Sequence, residues 1–245
     1  EIRLLHGPEL PADGFYVLHH TAFEVEMIQP EHFFGVANGL PGEQDAGTAA
    51  PALHGQLVRQ IGQDLPSVRP TLSQQAALAH DVIDLMDALR IPSAILGGYD
   101  WGSRTANVVA ALWPQRCSGL VAVSGYLIVD LVANREPLPP EAEHGWWYQY
   151  YFATARGEMG YRRNTHDFNR LIWQLASPDW HFADNTYERS AASFDNSDHV
   201  DIVVHNYRWR QSLAPGEARY DDDERRLAAK PAITVPTITI ASDFD

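Results

Sequence analysis

The sequence predicts an α/β fold, in which a mostly parallel sheet is flanked by helices and carries an inserted helical cap. Short apolar runs alternate with helical patterns over residues 73–128, and a strand pattern returns at residues 235–241. Between them, residues 137–215 are aromatic and helical with no strand pattern. Alternation of this kind predicts parallel strands joined by right-handed crossovers. We therefore expect residues 1–136 and 216–245 to form the sheet-containing core and residues 137–215 to form the cap.

Length and composition restrict the class of protein. The 245 residues suit one α/β domain with an inserted subdomain. The net charge of −14 disfavours nucleic acid or an anionic membrane as a partner. No apolar run approaches the ~20 residues of a membrane helix, the start lacks a signal-peptide layout, and the single cysteine excludes an internal disulfide. We expect a cytoplasmic protein that binds a small-molecule substrate, with a homodimer left open.

The first 70 residues give the weakest patterns. Residues 2–5 and 15–18 are candidate strands, and residues 53–61 could form one short helix. Paired histidines in this region suggest a metal site, but no cysteine or clustered carboxylate completes a ligand set. No metal or other cofactor is therefore expected at these histidines, which are His19, His20, His32 and His54.

A helix and a strand are predicted next. Ser73 is a candidate N-cap residue, and five apolar residues follow at helical spacing on one face. Residues 94–96 then read as a strand buried on both faces. The apolar residues of the helix are Leu78, Val82, Leu85, Met86 and Leu89.

A tight turn follows this strand at residues 98–102, Gly-Tyr-Asp-Trp-Gly. Small residues two positions before and after a central residue allow a sharp strand-to-helix turn. Asp100 is then held at the tip, where the helix N-terminus favours its ionised form. A carboxylate in this position can attack a carbon that bears an epoxide oxygen or a halide. The alternative is that the glycines only turn the chain and that Asp100 caps the helix.

The remaining core elements follow from apolar spacing. The helix after the turn packs Ala106, Val109 and Ala110 inward and ends at Trp113 and Pro114. Residues 120–123 read as the next parallel strand. The nearby Cys117 is expected to be a packing residue without a chemical role.

Two parts of the predicted cap stand out. Residues 146–152 are almost entirely aromatic, which by itself predicts packing against the sheet. Asp198 is a candidate N-cap of a later helix, and one face of this helix carries Val200, Val203, Tyr207 and either Arg210 or Gln211.

After the cap, residues 221–224 begin a short helix. Its acidic first turn suits the helix dipole, and no chemical role is assigned to these residues.

These motifs resemble a known family. Residues 98–102 resemble the Gly-x-Asp-Trp-Gly turn of α/β-hydrolases of the epoxide hydrolase and haloalkane dehalogenase groups. The resemblance implies the α/β-hydrolase fold, with Asp100 as nucleophile and the Trp101 N–H as an oxyanion donor. Residues 148–152 resemble the Tyr-Gln-x-Tyr-Phe stretch of epoxide hydrolase caps, and residues 206–208 resemble the site of a second tyrosine. Tyr148 and Tyr207 are thus expected to donate hydrogen bonds to the epoxide oxygen.

The sequence departs from the family pattern in two places. The family's His-Gly-x-Pro loop supplies an oxyanion N–H at x, but here Pro8 directly follows Gly7 and has no N–H. The resemblance makes Asp245 the triad acid, with Asp243 as the alternative. None of the eleven histidines occupies the downstream position of the catalytic histidine. We expect that residue either to lie beyond Asp245 or to be absent from a remnant that has lost turnover.

Three functions are compatible with the sequence. The first is an epoxide hydrolase that opens a small apolar epoxide, with Tyr99, Trp147 and Tyr151 also lining the substrate site. The second is a haloalkane or haloacid dehalogenase, since Trp101 resembles a halide-contacting tryptophan and Arg104 sits where fluoroacetate dehalogenases bind a carboxylate. The third is a non-catalytic small-molecule binding protein.

Overall fold

The structure of the protein is a computed structural model that describes residues 73–241 and, before them, the backbone of three short strands. The strands of the sheet are β1 (Ile2–Arg3), β2 (Phe15–Leu18), β3 (Val25–Ile28), β4 (Ala94–Gly98), β5 (Cys117–Val123) and β6 (Thr237–Ile240). Their order is β1-β6-β5-β4-β2-β3. The predicted strands are present, and β3 is an additional strand that the sequence patterns did not reveal.

The sheet is mostly parallel, as predicted. Strand β4 lies at its centre, parallel to both β2 and β5, and β6 is parallel to β5. Only the outer pairs, β1 with β6 and β2 with β3, are antiparallel. In register, Gly98 lies beside Leu18 on one side and Ala122 on the other, so the turn after β4 leaves the sheet at its middle.

Nine α-helices lie in the described part of the chain. They are α1 (Gln75–Ala88), α2 (Trp101–Leu112), α3 (Pro140–Gly145), α4 (Tyr148–Ala153), α5 (Ala155–Arg163), α6 (Thr165–Ala176), α7 (Asp184–Ala191), α8 (His199–Arg210) and α9 (Asp221–Ala228). Helices α1, α2 and α9 pack with β4 and β5 around one hydrophobic core. None of the helices within residues 73–241 is long and apolar enough to cross a membrane.

The core around α2 forms as the apolar spacing predicts. Ala106, Val109 and Ala110 are fully buried, and the helix ends at Leu112 directly before Trp113 and Pro114. Cys117 is buried at the start of β5, where burial raises the pKa of its thiol to about 11. The thiol therefore stays protonated and acts as a packing group.

The buried face of α1 differs from the predicted one. Val82 and Met86 are buried as expected, but Leu78, Leu85 and Leu89 are only partly buried. The closest packing is made instead by the small residues Ala76, Ala77 and Ala79, together with Ile83. Alanines allow α2 to approach closely, so the larger leucines lie at the margin of the contact.

The prediction that Ser73 caps α1 is wrong. The N-cap position is Gln74, whose side chain makes no capping bond, and the Ser73 hydroxyl donates to the Ile202 carbonyl oxygen at 2.6 Å. The first turn of α1 is closed by Glu224 of α9, which accepts the Ala76 N–H at 3.0 Å and a side-chain N–H of Gln75 at 3.0 Å. Glu224 has a structural role that its position in an acidic run did not predict.

Residues 140–210 are entirely helical apart from short connections, and they contain no strand. In the sequence, this helical segment lies between β5 and β6. In the sheet, β6 pairs directly with β5. Phe152, Tyr161, Val200, Val204 and Tyr207 form its main buried cluster. The face predicted for α8 is therefore correct, with Val204 added to it, although Asp198 occupies the N-cap without a side-chain hydrogen bond.

The contact between the end of β4 and the start of α2 gives a test of the fold. A Cβ atom on Gly98 would lie 2.3 Å from the carbonyl carbon of Gly102, so Gly98→Ala forces two backbone segments apart. We expect this substitution to lower the free energy of unfolding by about 3 kcal/mol, the upper part of the range for overpacked sites. Urea denaturation would measure the change.

Gly145→Ala is the matched control for this experiment. Nothing lies within 4 Å of a Cβ at Gly145, which ends helix α3. Its stability should stay near that of the wild type. Equal losses in the two variants would contradict the close contact at Gly98.

Candidate active site

The turn after β4 holds Asp100 in a conformation that few residues adopt. Its φ is 48° and its ψ is −116°, which lies outside the regions favoured by non-glycine residues. The Gly102 N–H donates to the Tyr99 carbonyl at 2.9 Å, and the Arg104 N–H donates to the Asp100 carbonyl at 2.9 Å. These bonds and the close approach of Gly98 keep the strained turn in place. The strand, sharp turn and helix predicted around Asp100 are all present.

The helical segment reaches this turn through aromatic contacts. The Trp101 indole N–H donates to the Tyr207 hydroxyl at 3.4 Å, and the two rings meet edge to face at 6.0 Å. The Tyr148 ring meets the Tyr207 ring edge to face at 5.5 Å. Tyr148 on α4 and Tyr207 on α8 are thus brought together over the residue that follows Asp100.

The phenols and the Asp100 carboxylate influence one another electrostatically. Burial raises the pKa of Tyr207, and its electrostatic coupling to the Tyr148 phenol and to the negative charge of Asp100 raises it further. Burial also raises the pKa of Tyr148, again with a contribution from Asp100, against smaller opposing effects of the Tyr207 hydroxyl, Arg210 and Arg104. Both phenols therefore remain protonated, and each keeps an O–H to donate near the carboxylate.

Two arginines flank the tryptophan of the turn. The guanidinium carbons of Arg104 and Arg210 each lie 5.3 Å from the centre of the Trp101 ring. Arg104 donates to the Leu127 carbonyl at 3.2 Å. Burial and the positive charge of Arg210 lower the pKa of Arg104, whereas the Asp100 carboxylate raises it. Sequence reasoning assigned Arg104 to the site but gave Arg210 no role, although its spacing from Tyr207 placed both on one face of α8.

The other predicted lining residues pack behind Tyr148 or lie on the exposed turn. Trp147 packs against Tyr151 and Phe168, and the Tyr151 ring stacks on Phe168 at 5.5 Å. The Tyr151 hydroxyl lies against Gly160 of α5, where an added Cβ would come within 1.8 Å of it. Trp147 and Tyr151 therefore support the aromatic cluster behind Tyr148, and Tyr99 is 53% exposed on the turn.

Three predicted site residues lie outside the described part of the chain. These are Gly7 and Pro8, proposed for the oxyanion loop, and Asp245, proposed as the triad acid. The candidate metal-binding histidines of the first 70 residues also lie outside it. Within residues 73–241, no three His, Cys, Asp or Glu side chains form a group that could hold a metal ion.

Comparison with known proteins agrees with this architecture. A sequence profile of the α/β-hydrolase fold matches residues 50–165. The chain is 33% identical over 92 residues to epoxide hydrolase B of Mycobacterium tuberculosis H37Rv, a match that covers 33% of this chain and 26% of that protein. The chain has the α/β-hydrolase fold.

Solved structures give the same fold over a longer region. A Klebsiella pneumoniae protein, provisionally described as an epoxide hydrolase, is 55% identical with a TM-score of 0.71, covering 74% of this chain and 60% of its own. A Pseudomonas aeruginosa protein with a similar provisional description is 16% identical, with a TM-score of 0.54. The match covers 71% of this chain and 56% of the Pseudomonas chain, and at this identity it shows the fold alone. The chain thus spans about a quarter of the curated relative and 60% of the Klebsiella protein.

The raised pKa of Tyr207 predicts how stability depends on pH. A phenol that is harder to ionise in the folded state stabilises the fold fully below the pKa of about 10 of the unfolded chain. That contribution is lost as pH rises from there toward the folded pKa, because the unfolded chain ionises first. We expect the free energy of unfolding of Tyr207→Phe to fall less steeply than that of the wild type between pH 9 and about 11.

Urea denaturation across this pH range would measure the slopes. Tyr150→Phe is the control, because Tyr150 is on the same helix as Tyr148 but is 50% exposed. It should keep the wild-type slope. If Tyr207→Phe also keeps it, Tyr207 does not have the buried environment described above.

Proposed function

We propose that the protein is an epoxide hydrolase that acts through Asp100 and a covalent ester. The observation that carries the proposal is the packing of the Tyr207 phenol against Trp101, which follows a carboxylate held on a strained turn, with the Tyr148 ring against that of Tyr207. The names of the Klebsiella and Mycobacterium relatives support the same reaction class.

In the first step, a carboxylate oxygen of Asp100 attacks one carbon of the epoxide. The bond from that carbon to the epoxide oxygen breaks, and its electron pair stays on the oxygen. Tyr148 and Tyr207 donate hydrogen bonds to this oxygen, and one of them gives it a proton, which leaves a hydroxyl group. The product is an ester between Asp100 and the ring-opened substrate. Addition of water to the ester carbonyl then releases the diol, and the proton set free as the Asp100 carboxylate is restored returns to the tyrosine that had lost its own.

Helix α2 contributes to both steps. Its N-terminus begins at Trp101, so the partial positive charge of the helix favours the ionised, nucleophilic form of Asp100. The Trp101 backbone N–H is the proposed donor to the oxyanion that forms when water attacks the ester. Gly7, Pro8 and Asp245 remain proposed members of this site, with Asp245 orienting the base that activates water.

The helical segment is proposed to act as the cap of the site, with boundaries at residues 137–215. Its aromatic side chains around Tyr148, including Trp147 and Phe152, favour a substrate with an apolar body. An acidic chain with one cysteine further supports a cytoplasmic enzyme that acts on small molecules.

Mass spectrometry after exposure to styrene oxide tests this proposal. We expect the protein either to release the diol into solution or to gain the mass of one epoxide molecule on the peptide that contains Asp100, and we expect Asp100→Asn to do neither. A chloroalkane of similar size should leave the mass unchanged. Modification by the chloroalkane alone, with loss of chloride, would instead support a dehalogenase, and binding without modification would support a non-catalytic binding protein.

The tyrosines provide a second, quantitative test. Removal of one hydrogen-bond donor to a developing oxyanion typically costs about 10²-fold in rate. We expect Tyr148→Phe and Tyr207→Phe each to slow ester formation with styrene oxide by about that factor. Stopped-flow fluorescence or timed mass spectrometry would measure the rate. Tyr150→Phe, at an exposed position of the same helix as Tyr148, should react at the wild-type rate.

A further inference from the structure

Four consecutive residues at the start of α1 are almost fully buried, although three of them are polar. Ser73, Gln74 and Gln75 are each at most 3% exposed, and Ala76 is fully buried. Burial of polar groups is costly unless each of them finds a hydrogen-bond partner. The partners of residues 73–76 come from parts of the chain that are far apart in sequence, so this segment joins those parts at one place.

Both connections between the helical segment and the core meet residues 73–76. On the entry side, between β5 and α3, the Val129 N–H donates to the side-chain oxygen of Gln75 at 2.8 Å. On the exit side, between α8 and α9, the Glu217 N–H donates to the side-chain oxygen of Gln74. Two neighbouring amides of α1 therefore hold the two ends of the helical segment.

The same place is linked to the proposed reaction through two helices. The Ser73 hydroxyl donates to the Ile202 carbonyl of α8, the helix that carries Tyr207. Helix α1 packs against α2, which begins directly after Asp100. A displacement of the helical segment at the start of α1 would thus change the position of the Tyr207 phenol relative to the carboxylate.

The carboxylate of Glu224 is the common acceptor of this arrangement. Its Oε1 atom accepts the Ala76 N–H at 3.0 Å and a side-chain N–H of Gln74 at 3.2 Å. Its Oε2 atom accepts a side-chain N–H of Gln75 at 3.0 Å. Helix α9 holds Glu224 in place, because Leu227 of the same helix is fully buried in the core. Both oxygens of the carboxylate are therefore engaged by the start of α1.

The carboxylate determines how the two amides are oriented. An ionised carboxylate only accepts hydrogen bonds, so Gln74 and Gln75 must each turn the NH2 group toward Glu224. Their carbonyl oxygens are then directed away from it and accept the backbone N–H groups of Glu217 and Val129. A side-chain amide at position 224 would bring a donor of its own. One of the two glutamines would then have to turn over, and its connection would lose an acceptor.

We propose that Glu224 is a positioning residue, which places the two phenols of the helical segment over Asp100 by orienting Gln74 and Gln75. It acts through the polarity of hydrogen bonds and touches no substrate. The inference deepens the proposed function and rests on it for the consequence in reaction rate. The anchoring of the two connections can be tested without any reaction.

Amide hydrogen exchange of the full-length protein, followed by NMR, is the direct test. In Glu224→Gln, the amide oxygen can keep both bonds of Oε1, so the new NH2 group faces Gln75. Gln75 then turns over and leaves the Val129 N–H without its acceptor. We expect the Val129 amide to exchange about tenfold faster and the Glu217 amide to stay within about twofold of the wild type. Unchanged exchange at Val129, or equal acceleration at both amides, would overturn the proposal.

Asp222→Asn is the matched control for charge. It removes one negative charge from the same first turn of α9, but Asp222 is exposed and paired with Arg225. Exchange at Val129 and Glu217 should equal that of the wild type. Acceleration at Val129 as large as in Glu224→Gln would mean that the charge of the turn matters and the hydrogen-bond polarity does not, which would overturn the proposal.

The double variant Gln75→Glu with Glu224→Gln is the rescue. The carboxylate now stands at position 75, where one oxygen accepts the Val129 N–H and the other accepts the NH2 group from position 224. It loses only the long bond of 3.4 Å from the Gln75 side chain to the Val129 carbonyl. We expect exchange at Val129 to return to the wild-type rate. Exchange as fast as in Glu224→Gln would overturn the proposal.

The rate of attack on styrene oxide tests the consequence for the reaction. A displacement of about 1 Å at a reacting group can cost about 10²-fold in rate. At saturating styrene oxide we expect Glu224→Gln to react about tenfold or more slowly, with KM within about threefold, because misplaced phenols act on the transition state. The double variant and Asp222→Asn should react at the wild-type rate. A slow reaction of the double variant would overturn the positioning role.

Thermal unfolding separates these results from a failure to fold. Glu224→Gln should be folded at the temperature of the assays. If it is not, the double variant carries both tests, because it keeps the acceptors of both connections. A double variant that is folded, exchanges slowly at Val129 and reacts at the wild-type rate supports the proposal. A double variant that fails to fold would overturn it.

Failure of the inference can be distinguished from failure of the proposed function. If the wild type leaves styrene oxide and Asp100 unchanged but exchange at Val129 follows the expected pattern, the anchoring by Glu224 stands and the epoxide reaction is wrong. If Glu224→Gln exchanges faster at Val129 but attacks styrene oxide at the wild-type rate, epoxide opening stands and the positioning role is wrong.

Discussion

The arrangement of the site depends on the close contact between Gly98 and Gly102. The absence of a side chain at Gly98 lets the end of β4 touch the backbone of Gly102 at the start of α2, and the turn between them takes backbone angles that few residues adopt. Asp100 takes the strained position, and the hydrogen bonds that follow it hold the strain in place. Because β4 lies between β2 and β5, the carboxylate is carried at an interior strand of the sheet.

A second constraint acts from the opposite side. The helical segment buries Phe152, Tyr161, Val200 and Val204 in one cluster, and this packing holds α8 against α4 and α5. Tyr207 is then buried against Trp101, and Tyr148 is held by Tyr207. The same burial that stabilises the aromatic cluster keeps the phenols protonated, so packing and the proposed acid role have one physical cause.

Local patterns predicted most of the described elements correctly. The strands at β4, β5 and β6, the helices on both sides of the turn and the helical character of residues 140–210 all follow from apolar spacing and turn residues. The errors have a common origin. Ser73 looked like a cap and bonds instead to Ile202, while Glu224 closes α1 from more than a hundred residues away. Such partners are selected by tertiary packing, and nothing in a short window of sequence identifies them.

The amino-acid sequence by itself determined the turn around Asp100, since glycines at positions 98 and 102 act through purely local sterics. It also suggested Tyr148 and Tyr207 as site residues, because the short stretch around each of them resembles a family motif. Only the tertiary structure decided that Arg210 and Arg104 both lie against Trp101, and that neither has an acidic partner in the described part of the chain. The reason is physical: charges separated by a hundred residues interact only after two helices from different parts of the chain have packed together.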